Sequence, residues 1–120
     1  AAEVRALAPD LIIGVSCNTE EQAATAEERG ASYFNIGPLY ATQTKDGLSA
    51  FLGPAAIPRF SARCTLPFTV MGGIKKEHIP ELTAMGARRL AVVTALTCAD
   101  DIAAETSGWL EAIKHQTTLA

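Results

Sequence analysis

The segment 36–47, IGPLYATQTKDG, places two hydroxyls and an ammonium group close together at Thr42, Thr44 and Lys45. That set suits an anion, because threonines donate hydrogen bonds and lysine acts as a point charge. A solvated surface loop has a similar composition, so the decision rests on the rest of the chain. Gly72-Gly73 is a second candidate: without side chains, backbone N–H groups can approach a ligand closely, although a tight turn asks for the same pair. Thr94, opening TALTCADD, offers a hydroxyl and the N-terminus of a short helix, a further anion-favouring arrangement. Cys17 follows Ser16, but no histidine lies near it in sequence, so a partly buried, inert thiol is expected. His78 and His115 fall in helical stretches and read as solvated surface residues. Asp100 and Asp101 read as acids in a helix's first turn, not as metal ligands. Trp109 reads as a covering residue, and no paired carboxylates suggest acid–base catalysis.

Short apolar runs alternating with helical patterns must position these groups. DLIIGVS (10–16) is a continuous apolar run, as expected for a parallel strand covered on both faces. Thr19 caps the next helix, Glu20 and Glu21 occupy its first turn, and Gly30 stops it. SYFNIG (32–37) is the second strand. Pro54 opens a helix running to about Arg63. PFTVMGG (67–73) is the third strand, followed by a helix over roughly 76–85 that ends at Gly86. RLAVVTA (89–95) is the fourth strand, and a last helix covers about 100–115. Alternation of this kind predicts an α/β fold with a parallel sheet and right-handed crossovers. Ligand groups in such folds gather where strands end. Ser16, Gly37-Pro38, Gly72-Gly73 and Thr94 all fall at that edge.

With 120 residues, 48% of them hydrophobic and 19% charged, the chain reads as one globular, soluble domain over 1–120. A net charge of −3 and a pI near 5.3 argue against a nucleic-acid surface. No apolar run reaches the roughly 18 residues a membrane span needs, and no signal peptide is expected. Cys17, Cys64 and Cys98 are odd in number and lack a CxxC pair, which suggests reduced thiols in a cytoplasm, with neither a disulfide framework nor a zinc site. The opening AAEVRALAPD reads as the tail of a helix entered midway.

Taken in order, the strand ends GVS, GPLYATQTK, MGGI and AVVTAL resemble the C-terminal half of thiamine-phosphate synthase, a (β/α)₈ TIM barrel family. The similarity extends over essentially the whole chain, and T-x-T-K after Gly-Pro is its most specific element. The resemblance implies a chain covering about the last four βα units, a half-barrel. It implies that Thr42 and Thr44 bind thiazole phosphate, with Gly73, Val93 and Thr94 holding its phosphate. Ser16 and Lys45 would contact the pyrophosphate of hydroxymethylpyrimidine diphosphate. The implied reaction joins the two substrates into thiamine phosphate and releases pyrophosphate, with Lys45 and Mg²⁺ stabilising the leaving group. Asn18 stands where the family often has histidine. A related thiazole tautomerase uses a histidine in that region, so Asn18 favours the synthase. The family's magnesium aspartates lie on its first four strands, so no metal ligand is expected in this segment. Four strands also leave open edges and an uncovered inner face. A missing N-terminal half-barrel or a second copy of the chain would cover that face, and the segment alone would be inactive. A non-catalytic phosphate-binding module, a structural fragment stable only as an oligomer, and a thiazole tautomerase-like isomerase stay open as alternatives.

Overall fold

The structure is a computed structural model that describes residues 1–40, 43–44, 47–48 and 51–119. In chain order the elements are α1 (Ala2–Leu7), β1 (Gly14–Cys17), α2 (Glu20–Ala26), β2 (Tyr33–Ile36), β3 (Gln43–Thr44), β4 (Gly47–Leu48), α3 (Ala56–Ser61), β5 (Phe68–Met71), a 3₁₀ turn (Lys76–His78), α4 (Ile79–Ala84), β6 (Leu90–Ala91), α5 (Thr94–Thr97) and α6 (Ile102–Leu119). Four strands form one parallel sheet in the order β1-β2-β5-β6, while β3 and β4 pair antiparallel as a small hairpin. Sequential parallel neighbours joined by helices are the arrangement the alternating pattern predicts.

Register decides which side chains face the helices. Cys17, Ile36 and Val70 are aligned across the sheet, and all three are buried. They join Phe34, Ala23, Ala26, Ile57, Phe60, Ile79, Leu82 and Trp109 in one apolar core. The Phe34 and Phe68 rings meet within it at 5.6 Å. Ser16, Asn35 and Thr69 form the adjacent aligned row and point to the opposite face. Asn35 Oδ1 accepts a hydrogen bond from Thr69 Oγ1, which ties β2 to β5 on that side.

Three sequence expectations change here. Strand β1 is buried on one face only, in an alternating pattern, whereas its apolar run predicts cover on both. It also begins at Gly14, not at residue 10, because Arg5 intercepts the preceding backbone. The Arg5 guanidinium donates to the carbonyls of Pro9, Leu11 and Gly30 and to Ser32 Oγ, so residues 9–11 are bound to a side chain and not to a neighbouring strand. Leu11 and Ile12 stay exposed as a result. The fourth strand is likewise cut to Leu90–Ala91, since the backbone turns into α5 at Thr94.

Side-chain caps explain where α2 and α6 start. Thr19 accepts from the Gln22 N–H while Gln22 Oε1 accepts from the Thr19 and Asn18 N–H groups, a reciprocal cap. Asp101 Oδ1 accepts from the Ala104 N–H, so Asp101 precedes α6 as its cap and is not inside the first turn. Trp109 is buried, and its indole N–H donates to Glu105. Among the described residues, no helix is long and apolar enough to cross a membrane.

Candidate functional site

Strands β2 and β5 end side by side and lock together. Beyond β2, the Leu39 and Tyr40 N–H groups donate to the carbonyls of Met71 and Gly72, each at 3.0 Å. A Cβ on Gly37 would lie 2.7 Å from Met71 Cγ and 2.8 Å from the Met71 carbonyl oxygen. Glycine is therefore required at 37 by close approach of the two strand ends. Asn18 Nδ2 donates to the Gly37 carbonyl and draws the end of β1 into the same assembly.

Two adjoining clefts open at this carboxyl edge, sharing Met71 and Gly72 in their walls. The smaller, about 140 Å³, is lined by Ser16, Asn18, Asn35, Gly37 and Pro38 as well. The larger, about 640 Å³, is lined by Gly73, Ile74, Lys75, Val93, Thr94 and Cys98, among others. Gly73, Val93 and Thr94, expected to act together, do line one cleft. Ser16 lies in the neighbouring one, exposed on the sheet's open face. Thr42 and Lys45 lie outside the described residues. The Thr44 backbone belongs to β3 and pairs with Gly47.

Electrostatics separate the candidates further. Helix α5 is only four residues long, so it aligns few peptide dipoles and adds little positive potential. Among the described residues, Lys75 is the one charged residue lining the larger cleft. The sequence reading does not single it out; its position directly after MGGI, at a strand end, was the available signal. Among the described residues, no carboxylate lines either cleft. Among the described residues no group of three His, Cys, Asp or Glu could hold a metal ion.

His78 is more than a solvated surface residue. Its ring stacks on Tyr40 with centroids 3.8 Å apart and planes 14° from parallel. Its Nδ1 accepts from the Lys75 N–H at 2.9 Å. Tyr40 in turn donates its hydroxyl to Glu81 Oε2 at 3.1 Å. Burial, then that hydrogen bond and the nearby carboxylate charge, push the Tyr40 hydroxyl up to about 12. His115 is exposed, as expected. Cys17 is fully buried, and its burial raises the thiol's pKa, which leaves it unreactive.

A parallel α/β sheet with its clefts at the carboxyl ends of the strands defines a class of α/β fold that binds ligands at that edge, and not any one enzyme. The family model described as thiamine monophosphate synthase matches residues 1–96, and the chain belongs to that family. Thiamine-phosphate synthase of Methanospirillum hungatei is 38% identical over 112 residues, covering 92% of this chain and 54% of the relative. The same enzyme of Shouchella clausii is 36% identical over 114 residues, covering 94% and 54%. Thiamine phosphate pyrophosphorylase from Pyrococcus furiosus superposes with a TM-score of 0.85 at 28% identity, over 97% of this chain and 55% of that structure. The chain thus spans about half the length of the relatives it matches.

Proposed function

We propose that this chain is the phosphate-binding part of a thiamine-phosphate synthase, a transferase that couples hydroxymethylpyrimidine diphosphate to thiazole phosphate and releases pyrophosphate. The observation carrying this reading is the convergence of Gly73, Val93 and Thr94 on one cleft, in a chain that belongs to the thiamine monophosphate synthase family. In that cleft the thiazole phosphate would meet backbone N–H groups at the Gly73 turn and the Thr94 hydroxyl. Thr42 and Thr44 would hold the thiazole substrate from the adjoining loop.

Ser16 and Lys45 would bind the pyrophosphate of the pyrimidine substrate. The C–O bond to that pyrophosphate breaks, leaving both bonding electrons on the departing oxygen. The thiazole nitrogen then donates its lone pair to the pyrimidine carbocation. Lysine is suited to this step because its charge opposes the negative charge developing on the leaving group. Magnesium would supply further charge neutralisation. With no carboxylate among the described residues that line either cleft, its ligands would belong to the half of the relatives' length that this chain does not span.

The same length relation supports a half-barrel. The four parallel strand–helix units would be the second half of an eight-stranded barrel, with the Ser16–Asn35–Thr69 row turned to its interior. That row is polar, so the face to be covered carries hydrogen-bonding groups. Either the missing half or a second copy of the chain would cover it.

Steady-state kinetics of the Thr94→Glu variant, in the full-length gene product, test the assignment of the cleft. A carboxylate there should raise KM for thiazole phosphate at least about tenfold by like-charge repulsion, while KM for hydroxymethylpyrimidine diphosphate moves less than about twofold. Equal effects on both substrates, or none, would remove thiazole phosphate from this cleft.

A further inference from the structure

We propose that Lys75 is the cation that binds the phosphate group in the larger cleft, and that Tyr40 and His78 hold it in position. The inference deepens the proposed function and rests on that reading of the cleft for the identity of the phosphate compound. The chemistry it needs from the ligand is only a phosphate dianion.

Charge balance is the first ground. An anion taken from water into a cleft needs compensation, and backbone amides with one hydroxyl provide partial charges only. Among the described residues, Lys75 is the one charged residue on the wall. Its neighbour Lys76 is engaged elsewhere, with its Nζ 2.9 Å from Glu105 Oε1, and that hydrogen bond holds the Glu105 carboxyl below the usual carboxylate range. Of two adjacent lysines, one is committed to helix α6 and the other faces the cleft.

The second ground is how firmly the Lys75 backbone is fixed. Its N–H donates to His78 Nδ1, and its carbonyl accepts from the His78 N–H, both at 2.9 Å. His78 is stacked on Tyr40, whose own N–H donates to the Gly72 carbonyl. The turn Gly72–Lys75 is therefore tied to Tyr40 at both ends, directly at Gly72 and through His78 at Lys75. Ile74, between them, is buried and anchors the middle. A flexible lysine loses less freedom on binding when its backbone is already fixed. Tyr40 and His78 are positioning residues that do not themselves need to touch the ligand.

NMR titration of the full-length gene product with inorganic phosphate, following the Gly73 and Lys75 amides, tests this directly. Lys75→Met should weaken phosphate binding at least about fivefold, and Lys75→Arg should restore it to within about twofold. Tyr40→Leu should weaken it by a smaller factor, and Tyr40→Phe, which keeps the stack, should leave it near the wild-type value. Unchanged binding in Lys75→Met, or failure of Arg to rescue, would overturn the proposal. So would a wild-type protein whose Gly73 and Lys75 amides do not respond to phosphate. Lys75-dependent phosphate binding combined with a normal thiazole phosphate KM in Thr94→Glu would leave Lys75 standing and sink the substrate assignment.

Discussion

Gly72 is pressed against Pro38 so closely that a Cβ at position 72 would lie 2.5 Å from the proline Cα. The same glycine has φ +103°, in the region that L side chains rarely adopt. These two constraints come from different sources and can be separated. Gly86 has a similar φ of +107°, but nothing lies within 4 Å of its added Cβ. Gly86→Ala should therefore cost the backbone strain alone, about 1 kcal/mol, whereas Gly72→Ala should cost about 2–4 kcal/mol. Urea unfolding of both variants measures the difference. Equal losses would mean that the contact between the two strand ends contributes nothing.

Tyr40 should leave a signature at high pH. An unfolded tyrosine titrates near 10, whereas burial and Glu81 push the folded hydroxyl up to about 12. The folded state keeps this proton over a range where the unfolded chain has lost it. The resulting stabilisation is complete below about pH 10 and disappears as pH rises towards 12. Since the ring is only half-buried, screening limits it to on the order of 1 kcal/mol. Thermal unfolding between pH 9 and 12, on the order of that interval, should show a steeper decline for wild type than for Tyr40→Phe. Parallel curves would remove the Tyr40–Glu81 bond from the stability account.

Lys45→Ala, in the full-length gene product at saturating substrate, should reduce turnover at least about tenfold, or about 1.4 kcal/mol of transition-state stabilisation. Single-turnover rates would show whether the loss falls on the chemical step. Unchanged turnover would take Lys45 out of the reaction.

Much of the frame can be read from the sequence because its signals are local. Apolar runs ending in Gly37 and Gly72 locate two of the strand ends, and Thr19 and Gly86 mark helix boundaries within a few residues. What escapes is set by contacts between distant segments. Nothing around DLIIGVS announces that Arg5 will take the carbonyls of Pro9 and Leu11 and delay the strand to Gly14. His78 looks like any helical surface histidine until the fold brings Tyr40 flat against it. Lys75 and Lys76 are the same residue type in adjacent positions; only the packing of α6, which carries Glu105, distinguishes them. The shared position of Gly73, Val93 and Thr94 at the strand ends is thus legible, whereas the contacts that distinguish Lys75 from Lys76 are not.

Product formation by the full-length gene product tests the central claim most directly. Hydroxymethylpyrimidine diphosphate, thiazole phosphate and Mg²⁺ would be incubated with the protein, and thiamine phosphate and pyrophosphate quantified together by chromatography. Equal amounts of the two products are expected from the full-length protein, with none from residues 1–120 alone, whose described residues place no carboxylate in either cleft for the metal. A folded full-length protein that binds both substrates yet forms no thiamine phosphate would contradict the account.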